Sequence, residues 1–156
     1  MPDNPALPER CKPTPIARHA PARDDSEKMR IVLLITAAPR HPNACHAWHT
    51  ARAILAAGHR LQVFFYGDGV ESANRLRFVA QDEENLTAKW AELAQEHGLE
   101  LPVCVAAAMR RGITDAENAR RHQLDGDNLH PAYTLTGLGI MTELITQADR
   151  CLTFAG

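Results

Sequence analysis

From residue 30 onward, short unbroken apolar runs alternate with stretches of helical periodicity. Arg30-Ile31-Val32-Leu33-Leu34-Ile35-Thr36 is continuously apolar, the pattern of a strand buried on both faces of a parallel sheet. Pro39 and Pro42 make Ala37–Asn43 a loop. Residues 44–57 then place Ala44, Ala47, Trp48, Ala51, Ile54 and Leu55 at helical spacing, with Gly58 as the stop. His59–Tyr66, with Leu61, Val63, Phe64 and Phe65, predicts a second strand, and Gly67-Asp68-Gly69 a turn at its carboxyl end. Val70–Arg77 predicts a short helical or irregular stretch. Leu86, Trp90, Leu93 and Ala94 mark a helix over 82–97 that ends at Gly98. Leu99–Val105 reads as the third strand. Thr114-Asp115-Ala116-Glu117 has the form of a capping box opening a helix over 114–121. A polar loop over 122–131 and the segment 134–139 lead to a helix over 140–147, and 149–154 closes the chain as a strand.

Strand and helix in alternation predict an α/β fold: a mostly parallel sheet with helices on both sides. Ligands of such folds gather at the carboxyl ends of the strands. Three segments should meet at that edge: the loop 37–43, the turn 67–69 and the residues after Cys104.

The first 28 residues break the pattern. They hold six of the ten prolines and balanced charges, with no apolar periodicity, so a flexible extension over 1–28 and a folded domain over 29–156 are expected. No stretch approaches the ~20 apolar residues of a membrane span, and the N-terminus has no apolar signal-peptide core. A cytoplasmic location is expected. A formal charge of −2 argues against a strong non-specific hold on nucleic acid or anionic membrane.

The four cysteines, Cys11, Cys45, Cys104 and Cys151, form no CxxC pair, so neither a zinc ribbon nor a thioredoxin motif fits, and free thiols are expected. Cys104 has the most suggestive setting. It ends an apolar run, and Val105-Ala106-Ala107-Ala108-Met109-Arg110-Arg111-Gly112 follows it. A thiol carried to the carboxyl end of a strand, with a helix or turn beginning beyond it, can feel the positive end of backbone dipoles; this favours the nucleophilic thiolate. The same position equally suits a buried structural cysteine. Arg110 or Arg111 could lower the thiol pKa or meet an anionic partner, and both also suit a solvated helix face. His122 and His130 are the histidines available for a Cys–His pair.

Other chemistries find less support. There is no GxGxxG, no phosphate-loop motif and no GxSxG. His41, Cys45, His46 and His49 are the only metal-like group. Cys45 and His49 would share a helix face, but a site needs three or four ligands and no carboxylate lies close by in sequence. No metal or organic cofactor is expected.

Several segments of the chain are familiar. Met29-Arg30, Ala57-Gly58-His59, Val63-Phe64-Phe65-Tyr66 with Gly69-Val70 and Ala73-Asn74, the block Val103–Gly112, Asn128-Leu129, Thr134–Gly139 and Asp149-Arg150 together resemble the TusD branch of the DsrE family of sulfur-relay subunits. The resemblance spans 29–154, and its most specific part is the Cys104 block. It implies a three-layer α/β/α fold around a mostly parallel sheet, and a sulfurtransferase that carries sulfane sulfur as a persulfide on Cys104. It also implies assembly with TusB- and TusC-like subunits as a dimer of heterotrimers. A TusA-type donor would load Cys104 and a TusE-type acceptor would unload it. The final use would be 2-thiolation of the tRNA wobble uridine, without direct nucleic-acid binding by this subunit. Alternatives are a DsrE-type role in dissimilatory sulfur oxidation, a non-catalytic scaffold, and a flavodoxin-like nucleotide or flavin module. The first loop and Cys45 have no counterpart in the family pattern.

Overall fold

The computed structural model describes residues 28–156. The proline-rich extension lies outside them, apart from Lys28. The described chain runs β1 (Arg30–Ile35), α1 (Pro42–Ala56), β2 (Arg60–Phe65), a 3-10 segment (Gly67–Ala73), α2 (Leu86–His97), β3 (Leu101–Cys104), α3 (Val105–Met109), α4 (Ala116–Arg121), β4 (Tyr133–Thr136), α5 (Leu138–Gln147) and β5 (Arg150–Phe154). All five strands are parallel, in the order β4-β3-β2-β1-β5.

The layers follow from that order. The path β1→β2→β3 steps one way across the sheet, and right-handed crossovers put α1 and α2 together on one face. The return from β4 to β5 crosses the whole sheet in the opposite direction, which puts α5 on the other face. Residues in register share a face: Ile31, Leu33 and Ile35 align with Leu61, Val63 and Phe65 beneath α1 and α2. Ala44, Ala47, Ala51 and Ile54 from α1 and Trp90 and Leu93 from α2 complete this core. Phe65 meets Trp90 edge to face at 5.6 Å, and Tyr133 at 5.4 Å. Val32 and Phe64 point to the opposite face and are still fully buried, so β1 reads as an unbroken apolar run, and β2 does so from Val63 to Phe65 after Gln62.

The α5 layer is thinner. None of its residues is buried, and Leu138, Ile140 and Ile145 are exposed. No helix among the described residues is long and apolar enough to cross a membrane.

Local chemistry moves several boundaries. α1 begins at Pro42, whose missing N–H is harmless in a first turn, and His41 Nδ1 caps it by accepting from the Asn43 amide. α2 begins at Leu86 because Asn85 is its cap, with Oδ1 accepting from the Ala88 amide at 3.2 Å; Asp82–Glu84 lie outside the helix. α4 is capped by Asp115, which accepts from the Asn118 amide at 2.8 Å, while the Thr114 hydroxyl donates to the Asp115 carbonyl. The strand over 133–136 is an element the periodicity did not predict.

Candidate functional site

The carboxyl edge of the sheet is built by close backbone contacts. The 3-10 segment after β2 folds back over β1, with the Gly69 amide donating to the Thr36 and Tyr66 carbonyls. A Cβ at Gly69 would lie 2.1 Å from the Ile35 carbonyl oxygen, so only glycine fits there. The same segment packs against α3. Two of the three expected segments therefore converge, the turn after β2 and the residues after Cys104. The loop 37–43 instead turns toward the C-terminal tail, where Asn43 Nδ2 donates to the Ala155 carbonyl at 2.6 Å.

Cys104 is the last residue of β3 and the N-cap of α3, in extended conformation (φ −60°, ψ 114°), and its side chain makes no capping hydrogen bond. The thiol is free, and the residue is 1% exposed. Helix α3 has only five residues, so it offers the unsatisfied N–H groups of its first turn more than a large macrodipole. Gly112, at φ +68°, ends the turn, and the Ile113 amide returns to the Ala108 carbonyl. Ala107 and Ala108 are buried packing residues, while Ala106 is exposed.

Arg111 is committed elsewhere. Its Nε and one terminal nitrogen donate to Asp68 Oδ1 at 3.0 and 2.6 Å, and the other donates to the Ala107 carbonyl. It clamps α3 to the 3-10 segment and does not serve the thiol. Arg110 is exposed and makes no ion pair among the described residues. Neither candidate histidine pairs with Cys104. His130 Nδ1 accepts from the Ala132 amide, and His122 forms the end of α4.

One neighbour escaped the sequence. Thr136 on β4 stands in register with Cys104, hence on the same face, and its Oγ1 is buried with no hydrogen-bond partner. With β4 unpredicted, nothing in the sequence could align the two. The edge is braced by Asn128, whose Oδ1 accepts from the Thr114 amide and whose Nδ2 donates to the Gly112 carbonyl, each at 2.9 Å. Leu129 bridges Asn74, and the His130 amide reaches the Ala73 carbonyl. Two distant segments of the family resemblance, Ala73-Asn74 and Asn128-Leu129, therefore join around the Cys104 turn.

A cavity of about 330 Å³ is lined by Pro39, His41, Cys45, Arg77 and Glu84 among others, and Cys104 does not line it. Among the described residues, the Cys104 surroundings show no metal-ligand set; what they offer is one thiol, one orphan hydroxyl and the first-turn amides of α3.

Comparison with known proteins bears on this thiol. The DsrE/DsrF-like family model matches residues 29–154. The chain is 48% identical over 112 residues to Sulfurtransferase TusD of Serratia proteamaculans, covering 71% of this chain and 87% of that one. It is 45% identical over 128 residues to Sulfurtransferase TusD of Klebsiella pneumoniae, 81% of this chain and all of the other. DsrE of Allochromatium vinosum is 42% identical over 128 residues, 81% of this chain and 98% of that one. Among solved structures, YchN of E. coli superposes with a TM-score of 0.65 at 16% identity, covering 81% of this chain and 99% of that one; it shares the fold.

Proposed function

The chain belongs to the DsrE/DsrF-like family, and from that premise we propose that it is a sulfurtransferase subunit of a sulfur relay, carrying sulfane sulfur as a persulfide on Cys104. The observation that carries the reading is the place of Cys104: last in β3, at the mouth of a helical turn, inside the matched region. Relatives named as TusD sulfurtransferases, at 45–48% identity, support the activity.

The chemistry is thiol exchange. The Cys104 thiolate attacks the terminal sulfur of a donor persulfide. The donor S–S bond breaks, its inner sulfur leaves as a thiolate, and Cys104 holds the sulfane sulfur. An acceptor thiolate then attacks that outer sulfur, and the Cys104 thiolate is the leaving group. No net oxidation occurs. The first-turn amides of α3 and the Thr136 hydroxyl are the donors at hand for a persulfide anion. At 1% exposure Cys104 is closed to attack as it stands, so transfer requires a local opening; α3, which follows it directly in the chain, is the segment assigned to that motion, and a docking partner is the natural trigger.

The partners in this reading are TusB- and TusC-like subunits in a dimer of heterotrimers, with a TusA-type donor and a TusE-type acceptor. The apolar side chains uncovered along α5 support an assembled state. The sulfur then ends in tRNA wobble-uridine 2-thiolation. A second destination, the dissimilatory sulfur oxidation that the family resemblance implies for DsrE-type subunits, is kept open by a 42% identical relative named as a DsrE sulfurtransferase. Measuring 2-thiouridine in tRNA from a strain lacking the gene separates the two.

Intact-mass measurement after incubation with a persulfide donor, followed by peptide mapping, tests the central claim. One added sulfur on Cys104, and none on Cys11, Cys45 or Cys151, is expected. Undiminished donor-to-acceptor transfer by Cys104→Ser would overturn it.

A further inference from the structure

Cys45 and His49 lie one turn apart on α1, and the fold brings them a third donor. Glu84, just before the α2 cap, accepts a hydrogen bond from Cys45 Sγ through Oε2 at 3.2 Å. One ligand atom each from Cys45, His49 and Glu84 lies within 4.8 Å of the other two. We infer that these three side chains form a binding site for one zinc-class divalent ion, held by thiolate, imidazole and carboxylate, with solvent completing the coordination.

The donor set selects the ion. Magnesium and calcium ask for six or more oxygens, and here there is one carboxylate. A sulfur, a nitrogen and an oxygen donor together suit zinc. Ligand atoms around tetrahedral zinc sit about 3.5 Å apart. The cluster needs only a modest rotamer closure to reach that spacing, and the exposed positions of His49 and Glu84 leave room for it.

The supports are in place. Lys89 Nζ holds Glu84 Oε1, which leaves Oε2 facing the sulfur. The His49 ring rests edge-on against Trp48 at 5.0 Å. Trp48 Nε1 donates to the Lys89 carbonyl at 3.2 Å, and the Lys89 ammonium lies 4.5 Å over the Trp48 ring, so α1 and the start of α2 are tied together. Outer contacts of this kind orient metal ligands.

Charge also fits. Arg40 and Arg77 line the adjoining cavity, and an ion with its full double charge would be repelled there. Thiolate and carboxylate together offset its double charge, with the carboxylate shared with the Lys89 ammonium. Binding through Cys45 requires the thiol proton to leave to solvent as the ion enters.

The full-length chain, reduced and stripped with chelator, is titrated with Co²⁺ alone and then with Zn²⁺ as competitor. One equivalent of Co²⁺ should produce a thiolate-to-cobalt charge-transfer band that one equivalent of Zn²⁺ removes. Cys45→Ser should abolish the band, Cys151→Ser should retain it, and His49→Ala and Glu84→Gln should each weaken zinc binding by about tenfold or more. Glu84→Gln keeps the shape of an exposed side chain, so a lost fold does not account for its effect; circular dichroism checks this. A band that survives in Cys45→Ser, or zinc affinity unchanged in both His49→Ala and Glu84→Gln, overturns the inference.

Discussion

The proposed sulfur transfer through Cys104, which is 1% exposed, requires a local opening, and the groups buried along α3 bound its cost. Lifting α3 returns Ala107 and Ala108 to solvent, about 0.8 kcal/mol for each methyl group. It also breaks the part-exposed Arg111–Asp68 pair, worth up to about 1 kcal/mol. The opening then costs about 1.6–2.6 kcal/mol. At about 1.4 kcal/mol per tenfold, Cys104 is open to reagent in roughly one molecule in 15 to 70. Where opening and closing are fast, alkylation should be slowed by the same factor relative to the urea-unfolded chain at the same pH. Exposed Cys151 should react in the folded protein at close to its unfolded rate. Arg111→Ala removes the clamp and should speed Cys104 alkylation up to about fivefold while leaving Cys151 unchanged. Timed quenching with an isotopically coded maleimide, followed by peptide mass spectrometry, reads each cysteine separately. Native-state alkylation of Cys104 at its unfolded rate would refute the sequestered thiol. An Arg111→Ala protein with unaltered Cys104 kinetics would refute α3 as the moving part.

Gly69→Ala places a methyl group against the Ile35 carbonyl, with no flexible side chain to give way, and should lower stability by about 3 kcal/mol in urea denaturation. Burial holds the Tyr133 phenol well above its ordinary pKa of about 10, and its hydroxyl donates to the Thr87 carbonyl at 3.2 Å. A raised folded pKa gives stability that is complete below pH about 10 and is lost as the unfolded phenol ionises above it; Tyr133→Phe should therefore lose less stability than the parent between pH about 8 and about 11. Thr136→Val removes an unpartnered buried hydroxyl, so stability should hold or rise by up to about 1 kcal/mol. The same variant should load persulfide on Cys104 about tenfold more slowly in a stopped mass assay, since a hydrogen bond to a charged group is worth about 1.5–3 kcal/mol.

The parts legible in the sequence are those where burial is two-sided or a breaker is explicit. Val32 and Phe64 are buried opposite Leu33 and Val63, which made β1 a continuous apolar run and gave β2 the run Val63–Phe65. Gly98 in left-handed conformation ends α2 where expected. β4 was illegible because only Tyr133 of its four residues is buried; an edge strand flanked by one neighbour needs little apolar patterning. The α2 start was misread because Asp82, Glu83 and Glu84 are acceptable in a first turn, and only the Asn85 side chain decides against them. Cys104 was legible as a strand-end thiol. Its burial, the capture of Arg111 by Asp68 and the nearness of Thr136 depend on contacts across 32 residues or more and leave no local trace. Glu84 beside Cys45, 39 residues away, is of the same kind.

The strand order also sets a timetable for biosynthesis. β1 emerges first among the strands and pairs with β2 on one side, yet its other side waits for β5. The Arg30 amide meets the Asp149 carboxylate across 119 residues of chain. At translation rates of about 5–20 residues per second, that wait is roughly 6–24 s. Throughout it, β1 presents a bare row of amides and carbonyls, flanked by Val32 and Leu34, that any other extended chain can use as a template. Ribosome stalling late in the message, or loss of the last dozen residues, would leave that edge permanently open, and such chains should be substrates for chaperones and proteases well before any question of sulfur arises.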